Sequence, residues 1–184
     1  KNGLHNIQSY YCLINLSDKI EISKIESKKD KIQFIGKFKH NINKNDNSIS
    51  KVLKILRKKK LISNYYKVIV KKEVPVFAGL GGGTSNAAFL ASYLLKKKYN
   101  QPIISAFEKK IGTDIKLFSH NQGFLKDLKT LNSFKKKYNL YFLLVYPNIK
   151  CSSRFIFSKV KNYSKKFKNV SKKINTRFKF LKFL

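Results

Sequence analysis

Cysteine is almost absent: Cys12 and Cys151 are the two in 184 residues, and neither has CxxC spacing or a nearby histidine. Neither a disulfide framework nor a zinc site is supported, and both cysteines read as ordinary reduced side chains. No apolar run approaches the roughly 20 residues of a membrane-spanning helix, and no stretch has the layout of a signal peptide. The expectation is a soluble, cytoplasmic protein with no membrane partner. Acidic residues are scarce, 9 against 41 lysines and arginines, which leaves a net charge of +32. Arginine is scarcer still, limited to Arg57, Arg154 and Arg177. Base-edge readout leans on arginine, and no helical pattern here carries an arginine face. The lysines are spread along the chain, so they read as a solvated surface, with a basic nucleic-acid-binding module as the alternative. An initiating methionine is lacking before "KNGLHNIQSYY", and "KKINTRFKFLKFL" ends the chain without an evident closing element. The expectation is the middle of a larger protein.

Apolar residues at 42% and aromatics at 14% describe a globular chain of one domain, or one domain and part of another. "SYYCLINLSDKIEISKI" alternates around Ile20 and Ile22, and "KIQFIGKF" alternates around Ile32 and Phe34. Both predict half-buried strands, expected to pair with each other. Asn47 or Ser48 caps a helix whose Ile49, Val52, Leu53 and Leu56 form one apolar stripe. "YKVIVKKEVPVF" predicts a strand ending near Pro75. A helix is expected from about Thr84 to Lys97, another opens at Gln101-Pro102 and ends at Gly112, and "LYFLLV" at 140–145 predicts a buried strand.

Glycine is rare as well, 8 in all, yet Gly79, Gly81, Gly82 and Gly83 fall within five residues ahead of the predicted helix. Such clustering implies positive φ or close approach to something. Strand, glycine loop and helix start together leave unpartnered N–H groups and the positive end of the helix dipole facing the loop, an arrangement suited to polyphosphate. Thr84 and Ser85 add hydroxyls at the helix start. The loop is not a Walker A motif, because no lysine stands between Gly83 and Thr84, and it lacks the third glycine and the later acid of a dinucleotide fingerprint. The plain alternative is a flexible turn. Asp114, after Ile111-Gly112-Thr113 and among apolar neighbours, can accept the proton of an attacking alcohol within hydrogen-bond reach, or can serve as a capping or ion-paired side chain.

"PVFAGLGGGTSNAA", Pro75 to Ala88, resembles the ATP-binding loop of the GHMP kinases, and its form is similar to that of the branch acting on 4-diphosphocytidyl-2-C-methyl-D-erythritol. "NGLHNIQSYY", "IGTDIKLF" and "LLVYPNIKCSSRFIF" resemble three further family segments in the same order. The resemblance implies an α+β, two-layer fold of two-domain GHMP type, with an ATP-binding domain over 1–136 and an incomplete second domain over 137–184. It implies an ATP-dependent kinase of isoprenoid biosynthesis, with ATP and Mg²⁺ as cofactors and a cytidine diphosphate-linked small molecule as partner. Another GHMP kinase, of homoserine or mevalonate type, is the alternative within the family. By the same resemblance Pro75, Val76, Phe77, Ala78, Gly79, Leu80, Gly81, Gly82, Gly83, Thr84 and Ser85 wrap the ATP phosphates, and Lys72 lies near the nucleotide. Thr84 or Ser85 is near Mg²⁺, with no dedicated metal-ligand set. Asp114 is the catalytic base, His5 reads the cytosine, and Phe157 stacks on it. A lysine partner of the base is implied ahead of Lys1. The chain departs from the family at Leu4, where a tyrosine is usual, at Phe77, usually small, at Lys116, usually proline, and at "FLKDLKTL", where a glycine-rich segment is usual.

Overall fold

Strand β4, Tyr65–Lys71, organises the larger of two sheets. Its alternate residues Tyr66, Val68 and Val70 are buried, while Lys67 and Lys71 are exposed, which is the period-two signature of a sheet with one covered face. The computed structural model describes residues 7–96, 100–128, 130–135, 137–147, 149 and 153–162. Strands β2, Lys19–Ile25, and β3, Lys31–Ile35, flank β4 and do not pair with each other as the alternation suggested. β2 runs antiparallel to β4 with Ile22 opposite Val68, and β3 runs parallel to it with Ile32 opposite the same valine. The reason is connectivity: two parallel strands need a crossover between them, and helix α1, Ser48–Lys58, supplies it between β3 and β4. The turn from β2 to β3 is tied down by Asp30. Its carboxylate accepts two hydrogen bonds from the Arg57 guanidinium, at 2.9 and 3.0 Å, and one from the backbone N–H of Tyr66, at 2.9 Å.

Helix α1 follows its sequence pattern closely. Asn47 caps it by accepting from the Ser50 N–H, while the Ser50 hydroxyl accepts from the Asn47 N–H, a reciprocal box that satisfies two donors. Ile49, Val52, Leu53 and Leu56 are fully buried in one core with Val68 and Val70 of β4. The same core takes in Ala87, Leu90 and Ala91 of helix α2, Gly82–Leu94, and Ile103 and Phe107 of helix α3, Gln101–Lys110. Helix α2 starts two residues before the expected Thr84, and Pro102 occupies the first turn of α3 as its sequence foretold. A 3₁₀ segment, Thr113–Ser119, follows Gly112 and buries Ile115 in the core.

A second sheet joins β1, Ser9–Cys12, to β5, Gln122–Leu125, and β5 to β6, Leu131–Ser133, all antiparallel. Its small core centres on Tyr10 and Phe124, whose rings lie 4.8 Å apart, with Tyr138 and Leu140 packed against them. "FLKDLKTL" thus builds the β5–β6 hairpin. The expected strand at 140–145 does not form: Tyr141, Leu143 and Val145 are 86%, 91% and 80% exposed. An apolar run forms a strand only where a sheet edge is available to take it, and among the described residues this one joins neither sheet, although Leu140 packs on the Tyr10–Phe124 core. A short helix α4, Ser153–Ser158, follows.

Two substitutions in the full-length protein test the weight of this core. Leu53→Ala is expected to cost about 2–5 kcal/mol, and Asn47→Ala about 1 kcal/mol, both read as lowered urea midpoints; equal losses would contradict the placement of Leu53 at the centre.

Candidate active site

The passage from β4 into α2 takes the chain from a strand to a helix in ten residues, and three backbone positions make the turn possible. Phe77, Gly79 and Gly81 have φ of 61°, 72° and 66°. Gly81 is the residue before the helix, and a side chain there would be strained by φ and would also meet Phe118 of the 3₁₀ segment at 2.9 Å. Gly82 differs. Its φ is not positive, but a Cβ on it would lie 3.0 Å from Val74 Cγ1 and 3.4 Å from Lys72 Nζ. The glycine cluster therefore serves both purposes, left-handed backbone at Gly79 and Gly81 and close approach at Gly82. Phe77 takes the same left-handed region without being glycine, and its ring is about half exposed.

No side chain among the described residues caps α2. The Ser85 N–H is the first to bond back, to Gly81 O at 2.8 Å, so the N–H groups of Gly82, Gly83 and Thr84 precede the hydrogen-bond ladder. These donors, with the positive end of the helix dipole, face the loop at 75–81. The residues present therefore fit phosphate oxygens.

Asp114 reaches the same place from the other side. The position a Cβ would take on Gly112 lies 2.8 Å from Asp114 Oδ1 and 4.0 Å from Thr84 Oγ1, so carboxylate and hydroxyl are no further apart than those two spans together. Asp114 is exposed, and no cation among the described residues pairs with it. It also caps nothing at the start of the 3₁₀ segment. Lys116, two residues on, is turned away to Glu108 at 3.3 Å and to the Leu128 carbonyl. Among the described residues no cluster of three or more His, Cys, Asp or Glu could hold a metal by itself. Mg²⁺ commonly keeps several waters and takes one or two protein ligands beside the phosphates, so the Thr84 and Ser85 hydroxyls remain fitting contacts.

Lys72 follows β4 directly, with its Nζ 3.4 Å from where a Cβ on Gly82 would lie. It is buried, and its ammonium is paired with Asp18, whose side chain is fully buried in the segment leading to β2. Asp18 also accepts from the Glu73 and Val74 N–H groups, both at 2.8 Å, and from the Asn86 amide at 2.8 Å. Burial by itself raises the Asp18 carboxyl, but the bonds from Lys72, Val74, Asn86 and Glu73 outweigh it and hold the group below its ordinary value. Sequence reasoning missed Asp18 and Asn86. The available signal was weak: one acid among 9 in a chain of net charge +32, and one amide inside an apolar helix stripe. His5 lies outside the described residues. Phe157 falls in α4, and its side chain is likewise outside them.

Residues 47–116, from the α1 cap to just past Asp114, match the family model for the GHMP kinases N-terminal domain. The chain carries a GHMP kinase N-terminal domain. Among curated relatives, the 4-diphosphocytidyl-2-C-methyl-D-erythritol kinase of Pelagibacter ubique is 38% identical over 99% of this chain and 66% of its own length. That of Ureaplasma parvum serovar 3 is 29% identical over 84% of this chain and 60% of its own. The chain spans about three-fifths of the length of such relatives. A homoserine kinase from Cytophaga hutchinsonii superposes on 50% of this chain and 33% of its own, with a TM-score of 0.41 and 18% identity. The helix-and-strand content agrees with the α+β expectation. Among the described residues no helix is long and apolar enough to cross a membrane.

The Asp18 network in this GHMP kinase domain carries a pH signature. A folded-state pKa below the ordinary 3.8 contributes stability that is complete above that value and lost as pH falls through the folded one. Urea unfolding from pH 7 to 3 is expected to show stability dropping below about pH 4, and Asp18→Asn should lower the neutral plateau and flatten the drop; parallel profiles for the two proteins would refute the assignment.

Proposed function

We propose that the full-length protein is an ATP-dependent kinase that phosphorylates the 2-hydroxyl of 4-diphosphocytidyl-2-C-methyl-D-erythritol. The observation that carries the reading is the approach of Asp114 to the uncapped start of α2. Its supporting context is similarity to relatives of that name.

Phosphoryl transfer asks a protein for positioning and charge stabilisation more than for covalent chemistry. In this reading the loop from Pro75 to Gly81 surrounds the β- and γ-phosphates, and the N–H groups of Gly82, Gly83 and Thr84 donate to their oxygens. Those fixed donors stabilise charge on the transferring group without reorganising. Thr84 or Ser85 would contact Mg²⁺, which neutralises phosphate charge when bound. Asp114 stands where an alcohol placed against the γ-phosphate could donate its proton to the carboxylate. Exposure keeps that carboxylate accessible to substrate, and the lack of an ion pair among the described residues keeps its lone pairs available. His5 and Phe157 are proposed to bind the cytosine, residues 1–136 to form the ATP-binding domain, and residues 137–184 to begin the second.

Two variants of the full-length protein separate binding from chemistry. Asp114→Asn is expected to leave ATP affinity within a few-fold while cutting turnover by about 10² or more. Gly82→Val should weaken ATP binding about tenfold or more, since the branched side chain would run into Val74 and Lys72. Near-normal turnover in Asp114→Asn would remove the base assignment, and phosphorylation of homoserine or mevalonate in place of the cytidylyl substrate would reject the proposed acceptor.

A further inference from the structure

The glycine loop is anchored by one buried carboxylate that belongs to neither the loop nor the helix. Asp18 Oδ1 takes the N–H groups of Glu73 and Val74, the last two residues before Pro75, at 2.8 Å each. Asp18 Oδ2 takes the Lys72 ammonium from the end of β4 and the Asn86 amide from the second turn of α2. Entry and exit of the loop therefore converge on a single side chain. Lys72 Nζ and the Val74 side chain in turn form the floor under Gly82, at 3.4 and 3.0 Å from where its Cβ would be. Gly82 carries the first N–H of the helix.

We propose that Asp18 is a positioning residue that fixes the distance and direction between the loop and the start of α2, and so sets the phosphate-binding geometry. Its ligand, ATP, rests on the kinase reading above. The physical argument is one of degrees of freedom. The seven residues 75–81 include three in left-handed conformation, and such a segment keeps one shape only when both ends are held. The Asp18 carboxylate holds both. Among the described residues the two N–H groups before Pro75 have no other acceptor, so loss of the carboxylate frees the loop entry, whereas loss of charge alone does not. In this account Lys72 balances the buried charge and supports Gly82 from beneath.

Two double variants of the full-length protein separate positioning from stability. Asp18→Asn with Lys72→Met removes both charges and keeps an oxygen for the Glu73 and Val74 N–H groups. Asp18→Leu with Lys72→Met removes both charges and that oxygen. Replacing a buried ion pair by uncharged groups of similar volume is often tolerated, so both are read at a temperature where circular dichroism shows them folded. The Asn/Met protein is expected to bind ATP within a few-fold of the unaltered protein. The Leu/Met protein is expected to bind it at least tenfold more weakly and to exchange the amide hydrogens of residues 79–84 at least tenfold faster. Unaltered affinity and exchange in the Leu/Met protein would overturn the proposal, as would loss of affinity in a folded Asn/Met protein. If the unaltered protein binds no ATP, the kinase reading falls, and the amide exchange rates still decide the positioning role.

Discussion

The structure depends on the burial of one face of β4. Val68 and Val70 are fully buried in one cluster with apolar side chains of α1 and α2. A strand held that firmly has a fixed end, and its end is where Lys72, Glu73 and Val74 meet Asp18. The site is therefore not an ornament on the fold. The same apolar contacts that close the core determine where the loop begins, and the packing of α2 on that core determines where it finishes. Close-packed interiors transmit such constraints because they have little room to yield.

Parts of this were legible in the chain and parts were not, for physical reasons. Helix α1 could be read because its apolar stripe and its cap are both local patterns. The glycine loop could be read because four rare residues in five positions have few other uses. The pairing of β2 and β3 could not, since alternation reports which face of a strand is buried and is silent about its neighbour. Asp18 left no local trace: its four partners lie 54 or more residues away in sequence. The run at 140–145 gives no such guide, because an unbroken apolar stretch has no period and its burial depends on what the rest of the chain brings against it. Asp114 is named by its motif, but its exposure and its lack of an ion pair among the described residues are facts of three-dimensional arrangement.

Charge is distributed with a similar economy. Of the 9 acids, Asp18, Asp30, Asp46, Glu73 and Glu108 form ion pairs with lysine or arginine, and Asp114 is not among them. The exposed pairs, such as Lys71 with Glu73, contribute little in water. The buried Asp18–Lys72 pair and the Arg57–Asp30 fork connect segments far apart in sequence, so their importance is topological: they select which pieces of chain lie side by side. Excess lysine elsewhere gives the chain a net charge of +32, a positive field that favours any polyanion approaching it, whatever its identity.

The apolar stretch around Tyr141–Val145 has a consequence for the molecule in a crowd. Hydrophobic and open to solvent, it has the features of a patch by which polypeptides stick to one another. Copies carrying +32 charges repel each other at long range, and this repulsion holds such contacts off. The range of that repulsion shrinks from about 30 Å at 0.01 M salt to about 8 Å at physiological ionic strength. Colloidal behaviour in this protein is thus a contest between a lysine-rich surface and five exposed side chains, with dissolved ions as the arbiter.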